Sequence, residues 1–355
     1  MSKELIKGNI AIAKAALKAG LKAYFGYPIT PQTDIGEYLS YEMPKRNLAY
    51  VCAESEIGAI NMALGAATSG EKVMVSSSSC AVSLMQEALS YACSDELPLV
   101  LVNVMRAGPG QGYIYPSQGD YNQAVTGGGN GDYQVVVLSP STLPEACDLT
   151  QRAFYISQKY KIPTMLLVDG LLGQMAEPVE ISESKYPEID NSSWILDGAK
   201  GRASREIHSL EPSQYKLNQH IVSLFKKYKE IEQNECDWEE YMMDDAEILV
   251  TSFGTMARYA KSVVKDLRQN GIKIGLFRPK TLFPFPSKRL GELSLKVKHI
   301  IDIEMNMGQM LKDVRLSVLN NAVVSFIGKP VGDWLKREEM KSAINNIIKE
   351  SYASI

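Results

Sequence analysis

The chain has 355 residues, 45% hydrophobic and 22% charged, with a formal net charge of −3. That is length for two folded units with apolar cores, and the charge balance offers no basic surface for nucleic acid. No apolar run reaches the ~18 residues of a membrane span, and the opening MSKELIKGN lacks a signal-peptide core, so the expectation is a cytoplasmic protein with no membrane partner.

The five cysteines are scattered and never form CxxC, and the three histidines, His208, His220 and His299, all lie beyond residue 200. Neither a disulfide framework nor a self-contained metal cluster is indicated, nor a histidine-dependent hydrolase in the first half.

Gly8 to Ala19 places Ile10, Ala13, Ala16 and Leu17 on one face and predicts a helix stopped by Gly20. A strand at Ala23 to Gly26 leads into Tyr27-Pro28-Ile29-Thr30-Pro31, whose prolines suit an extended loop and not a central strand. A helix then starts near Thr33. Thr30 stands just past a strand's C-terminal end, where open α/β sheets place ligands. A plain loop threonine also fits that position.

Leu48 to Cys52 is the next strand. It runs into Glu54-Ser55-Glu56 and a helix of small residues, with Gly58, Ala59, Ala63, Gly65, Ala66 and Ala67. Glycine costs roughly 1 kcal/mol against alanine in a helix, so such a helix makes sense where something packs closely along it. Carboxylates suit a helix N-terminus, and Glu54 and Glu56 fit that bland role as well as a functional one.

Lys72 to Ser77 is a strand entering Ser78-Ser79-Cys80, and a helix is predicted over Ser83 to Ser90. Pro98 to Met105 is apolar and β-rich, the pattern of a central parallel strand buried on both faces. It ends at Arg106, before the Gly- and Pro-rich AGPGQG. A charge at the tip of a buried strand is seldom a packing element. The GGGNG stretch from Gly127 lacks the Lys-Ser/Thr of a phosphate loop. Tyr133 to Leu138 (strand), Leu143 to Lys159 (helix) and Pro163 to Val168 (strand) complete a β/α alternation that predicts a doubly wound parallel sheet.

From Ile181 to Asp245 the pattern turns polar. Gln214 to Glu239 reads as a helix with an apolar stripe through Ile221, Leu224, Phe225 and Tyr228, packing on a domain or on another chain. Glu247 to Ser252 opens a second α/β unit. It continues with a helix to Asn270, a strand at Ile272 to Phe277, the proline-rich turn RPKTLFPFP and a helix to Lys296. A strand at Val297 to Glu304, a helix from Gly308 and a strand at Val323 to Phe326 follow. The expected division is 1–180, a linker with a helix over 181–244, and 245–355.

Several motifs then meet one family. YPITP, SEIGA, SSSS followed by SLM, ELPLVLVNVMRAGPG, PSQGDY and DYQVVVLSP resemble the alpha subunit of 2-oxoacid:ferredoxin oxidoreductases. GYPITPQ, INMALGAA, SLMQEALSYA, GGGNGDY, LLVDGLLGQMAEPVE, RPKTLFPFPSK and IDIEMNMGQM are most similar to the 2-oxoisovalerate (branched-chain 2-oxoacid) type. The resemblance spans nearly the whole chain. It implies a pyrimidine-type thiamine-diphosphate domain followed by a smaller transketolase-C-terminal-like domain. The implied reaction is oxidative decarboxylation of 2-oxoacids to acyl-CoA with ferredoxin reduction. Thiamine diphosphate would be shared with a beta subunit that holds the diphosphate and Mg2+. Ferredoxin-like and gamma subunits would complete the assembly, with 4Fe-4S clusters on partner subunits. No GDG with a following Asn-Asn pair occurs, and neither Gly131-Asp132 nor Gly332-Asp333 continues correctly.

By motif position, Glu56 resembles the glutamate that hydrogen-bonds N1′ of the aminopyrimidine. Thr30 resembles the hydroxyl that binds the substrate carboxylate, and Arg106 the arginine that does so with charge. Tyr27, Pro28 and Ile29 resemble the loop lining the cofactor. One departure stands out: Cys80-Ala81 occupies the place where the family usually has Pro-Gly. The same chemistry on 2-oxoglutarate or pyruvate is the alternative. A non-catalytic binding protein on this fold is a more remote one.

Overall fold

The computed structural model describes residues 3–319, 322–331 and 335–353; Gly332-Asp333 lies outside the described residues. The elements in chain order begin with β1 (Glu4–Lys7), α1 (Gly8–Lys18), β2 (Ala23–Gly26), α2 (Thr33–Glu42), β3 (Ala49–Cys52) and α3 (Glu56–Ala67). Next come β4 (Val73–Ser77), α4 (Cys80–Ser83), α5 (Gln86–Ser94), β5 (Leu99–Met105), α6 (Tyr121–Thr126) and β6 (Val136–Leu138). Then follow α7 (Leu143–Tyr160), β7 (Pro163–Asp169), α8 (Gly170–Gln174), β8 (Ala176–Val179), α9 (Gln214–Asn234) and β9 (Trp238–Tyr241). The last are β10 (Ile248–Thr251), α10 (Gly254–Gln269), β11 (Ile274–Pro279), β12 (Thr281–Phe283), α11 (Ser287–Ser294), β13 (His299–Glu304), α12 (Leu311–Ser317), β14 (Val323–Gly328) and α13 (Arg337–Ala353).

The larger sheet has seven strands in the order β12-β6-β7-β5-β4-β2-β3. All pairs are parallel except β12 against β6. β5 and β7 sit in the middle and every residue of both is buried; they are apolar apart from Asn103 in β5 and Thr164 and Asp169 in β7. Burying each Val, Leu or Met there contributes about 2 kcal/mol. On one face α1 lies against α7, where Cys147 Sγ meets Ala11 O (3.8 Å), and Ala11, Ala13, Ala15 and Ala16 of α1 are all fully buried. A second sheet runs β14-β13-β10-β11-β9, parallel apart from β9. β1 and β8 form a separate antiparallel pair.

Four details differ from the sequence-based expectations. The helix expected over Ser83 to Ser90 is two helices, α4 and α5. Leu84 N–H donates to Ala81 O and Met85 N–H to Val82 O, a tight three-residue turn that interrupts the α ladder. The helix from Gln214 stops at Asn234, because Glu235 turns inward. Its carboxylate accepts from Tyr160 Oη (2.9 Å) and Lys159 Nζ (3.0 Å). Trp238–Tyr241 is then free to pair with β11. In α9, Leu224, Tyr228 and Ile231 pack on the first unit, whereas Phe225 is exposed. Finally, the proline-rich turn contains β12, which leaves the second unit and extends the first unit's sheet.

Two further contacts tie the units together. Arg278 is buried and donates to both oxygens of Glu145 (2.7 and 3.0 Å) and to Glu239 (2.9 Å). Gln118, fully buried, donates from Nε2 to Phe253 O (2.8 Å) and accepts from Met305 N–H (2.9 Å). Gln118→Ala would strand Met305 N–H away from water, whereas Phe253 O keeps the Ala257 N–H (3.3 Å). It is expected to lower stability by about 1–3 kcal/mol, read as a fall in the denaturant midpoint.

Candidate active site

The parallel strands end together. Gly26 pairs with Cys52 and Ser76, Ser77 with Asn103, and Met105 with Asp169. The loops that follow therefore emerge along one edge, and all the residues singled out from the sequence lie on it.

Arg106 leaves the tip of β5 with only 9% of its surface exposed. Its Nη1 donates to Thr30 O (3.1 Å), and its Nη2 donates to Cys80 Sγ (3.0 Å) and Gln111 O (2.9 Å). Its Nε is buried without a partner. Thr30 and Arg106 are thus in contact, through the threonine's carbonyl oxygen. The Thr30 loop is itself pinned: Pro31 O accepts from Asn9 Nδ2 (2.7 Å) and Gln174 Nε2 (2.8 Å). Gln32 donates to Tyr27 O (3.1 Å) and accepts from Ser76 Oγ (2.6 Å). Tyr27 and Pro28 are exposed and Ile29 is half-buried.

The backbone of Arg106 is fixed by Ser79, a residue the sequence did not single out. Arg106 N–H donates to Ser79 Oγ (2.8 Å), and Ser79 Oγ lies 2.6 Å from Asp120 Oδ2. Asn103 completes the group, accepting from Ser79 N–H (3.0 Å) and donating to Asp120 (3.0 Å). Ser79 has φ 37°, a left-handed conformation that a non-glycine residue keeps only when its surroundings hold it. Together Ser79, Asn103 and Asp120 carry the arginine. PSQGDY and the serine run were visible in the sequence, but nothing in them indicated that these side chains meet.

Burial pushes the Asp120 carboxyl up, outweighing the Ser79 and Asn103 hydrogen bonds and the Arg106 charge that pull it down. A folded-state value raised above the unfolded one gives stability that is complete below the unfolded value, about 3.9, and lost as pH rises through the folded value. Asp120→Asn keeps an oxygen acceptor and cannot ionise. Its thermal midpoint should exceed that of the wild type at about pH 7, with the gap closing toward about pH 4. An equal gap across that range would contradict the buried charge as its cause.

Glu56 stands apart, in the first turn of α3, half-buried. Ser55 caps that helix, accepting from Gly58 N–H (3.1 Å). A Cβ at Gly58 would lie 2.4 Å from Glu54 Oε1, the end of an exposed side chain that can swing aside. Ala59, Ile60, Ala63 and Ala67 face the core, while Ile57, Asn61, Met62 and Gly65 are exposed. Two strands separate β3 from β5, so the Glu56 and Arg106 ends of the edge are roughly 14 Å apart at ~4.8 Å per strand.

The GGGNG loop is not a phosphate cradle. Gly128 and Gly129 N–H already donate to Tyr133 Oη (3.2 and 2.9 Å), and Gly128 N–H also to Gln86 (2.9 Å). No helix among the described residues is long and apolar enough to cross a membrane.

Residues 14–243 match the family model described as pyruvate flavodoxin/ferredoxin oxidoreductase, thiamine-diphosphate-binding. Residues 246–340 match pyruvate:ferredoxin oxidoreductase core domain II. The chain belongs to the 2-oxoacid:ferredoxin oxidoreductase family. Among the relatives of this oxidoreductase chain, the ketoisovalerate oxidoreductase subunit VorB of Methanothermobacter marburgensis is 42% identical over 351 residues, 99% of each chain. The same-named subunit of Methanothermobacter thermautotrophicus is 45% identical over 317 residues, 89% of this chain and 90% of that one. A solved structure, the 2-oxoglutarate:ferredoxin oxidoreductase of Magnetococcus marinus with 2-oxoglutarate, coenzyme A and succinyl-CoA bound, superposes with a TM-score of 0.86 at 23% identity. It covers 97% of this chain, which spans 65% of that one. At that identity the likeness speaks for the fold.

The edge of this oxidoreductase chain suits the pyrimidine end of thiamine diphosphate. A carboxylate stands half open at the start of a small-residue helix. Buried Ser77 Oγ, Ser78 Oγ and Arg106 Nε, on neighbouring strand ends, lack hydrogen-bond partners within the chain, and a bound group or an ordered water would satisfy them. Among the described residues no group of three or more His, Cys, Asp or Glu is arranged to hold a metal.

Proposed function

We propose that the chain is the alpha subunit of a 2-oxoisovalerate:ferredoxin oxidoreductase, which oxidises branched-chain 2-oxoacids to acyl-CoA in the cytoplasm. The observation that carries this reading is Arg106: a buried guanidinium at a strand tip, held beside Thr30 with one donor unmatched. Near-full-length similarity to two ketoisovalerate oxidoreductase subunits supports the choice of acid. Residues 1–180 form the pyrimidine-binding unit, 181–244 the linker and 245–355 the transketolase-C-terminal-like unit. A beta subunit contributes the diphosphate and Mg2+ site, and 4Fe-4S clusters on partner subunits pass electrons to ferredoxin. Ferredoxin-like and gamma subunits complete the complex, and CoA is the acyl acceptor.

When bound, thiamine diphosphate supplies the electron sink for decarboxylation. This chain's residues bind and orient. The Glu56 carboxyl group would hydrogen-bond N1′ of the pyrimidine and share a proton with it. Tyr27, Pro28 and Ile29 line the ring's approach. Arg106 pairs with the 2-oxoacid carboxylate, for which a planar guanidinium is suited, and the Thr30 hydroxyl donates to the same group. Ser79, Asn103 and Asp120 keep the arginine backbone in place.

The test is CoA-dependent viologen reduction by the chain co-expressed with its partner subunits, with 2-oxoisovalerate, 2-oxoglutarate and pyruvate in turn. Thiamine-dependent turnover greatest with 2-oxoisovalerate is the expected result. Preference for another acid would overturn the substrate, and no turnover with any acid would overturn the enzyme reading.

A further inference from the structure

Cys80 begins α4 where its thiol meets the Arg106 guanidinium. Its Sγ lies 3.0 Å from Nη2 and the residue is half-buried, whereas Ala81 is buried and Val82 lies among the apolar groups of the core. A cysteine that merely filled space would face those groups. This one faces a charge.

Arg106 offers five N–H donors, and three acceptors engage it. They differ in firmness. Thr30 O belongs to a loop pinned by Asn9 and Gln174, and Cys80 Sγ sits on a helix whose preceding residue, Ser79, is held by Asn103 and Asp120. Gln111 O lies on the exposed stretch from Gly108 to Tyr115 and is the acceptor most readily withdrawn. With Gln111 gone, two fixed acceptors set the plane of the guanidinium. Its Nε–H, buried and without a partner, calls for an acceptor of the kind a carboxylate oxygen provides.

We propose that Cys80 is a positioning residue for 2-oxoacid recognition: its sulfur, opposite Thr30 O, locks the Arg106 guanidinium in the orientation that receives the substrate carboxylate. This rests on the functional reading above. Without the thiol the arginine keeps its charge and loses its orientation, so binding of the acid suffers and binding of CoA does not.

The experiment uses the assembled, co-purified complex. Cys80→Ala is expected to raise KM for the 2-oxoacid about tenfold, the scale of one hydrogen bond to a charged group, with kcat and KM for CoA nearly unchanged. Cys80→Ser, which restores an acceptor, should recover most of that loss; a space-filling role predicts no such recovery. In a second measurement the wild-type complex is treated anaerobically with iodoacetamide and the Cys80 peptide is followed by mass spectrometry. The 2-oxoacid should slow its labelling about tenfold, and CoA should not.

An unchanged KM in Cys80→Ala, no recovery in Cys80→Ser, or labelling indifferent to the acid would overturn the proposal while turnover persisted. A wild-type complex that turns over no 2-oxoacid would instead overturn the functional reading, and this proposal with it.

Discussion

Replacing Glu56 by alanine in the assembled enzyme is expected to lower kcat about 10²- to 10⁴-fold, the range supplied by a positioned proton-transfer group, while the subunits still co-purify. The structure explains why the effects separate. Glu56 lies in the first turn of α3 and is half-buried, and the helix is capped by Ser55 and packed by Ala59, Ile60, Ala63 and Ala67. Losing one first-turn carboxylate costs about 0.3–1 kcal/mol of dipole interaction, too little to unfold the chain. Glu56→Gln sharpens the test. It keeps size and hydrogen bonding but cannot take up a proton, so its kcat should fall nearly as far as that of the alanine variant. Viologen-coupled turnover with bound thiamine diphosphate quantified in the same samples would decide it. Wild-type turnover in either variant would remove Glu56 from the reaction.

Arg106→Ala should lower kcat/KM for the 2-oxoacid about 10²- to 10³-fold, chiefly through KM, and leave KM for CoA within about threefold. The magnitude is that of one or two hydrogen bonds to a charged partner at ~1.5–3 kcal/mol each. Arg106→Lys keeps the charge and gives up the planar fork. Lysine cannot span Thr30 O, Cys80 Sγ and Gln111 O together, so an intermediate KM is expected. If the alanine variant affected both substrates equally, Arg106 would be holding the loops together and not the acid.

Legibility followed the local physics. β5 was readable because a strand buried on both faces is nearly all apolar, and α1 because its apolar positions share one helical face. Arg106 stood out because charge at such a strand tip has no packing purpose. Its supports were hidden. Ser79, Asn103 and Asp120 lie on three different segments: the parallel register of β4 with β5 brings the Ser79 loop to Asn103, and the segment leading into α6 adds Asp120. The left-handed backbone of Ser79 has no signature among four consecutive serines. β1 and β8, α6 and α13 went unpredicted; β1 and β8 are short pieces whose pairing partner is far away in the chain. Thr30 was singled out for its hydroxyl, yet the contact with Arg106 uses its carbonyl.

β12 has a consequence for handling the protein. The two family models meet between residues 243 and 246, the natural place to divide a gene into two expression fragments. The fold does not divide there. Thr281 and Phe283 sit against Leu138 and Val137, so a fragment ending near 245 would leave β6 as a bare edge strand of apolar residues. Such an edge recruits strands from other molecules. The shortened piece should come out of cells as aggregate, and supplying β12 on a tethered peptide should keep it in solution.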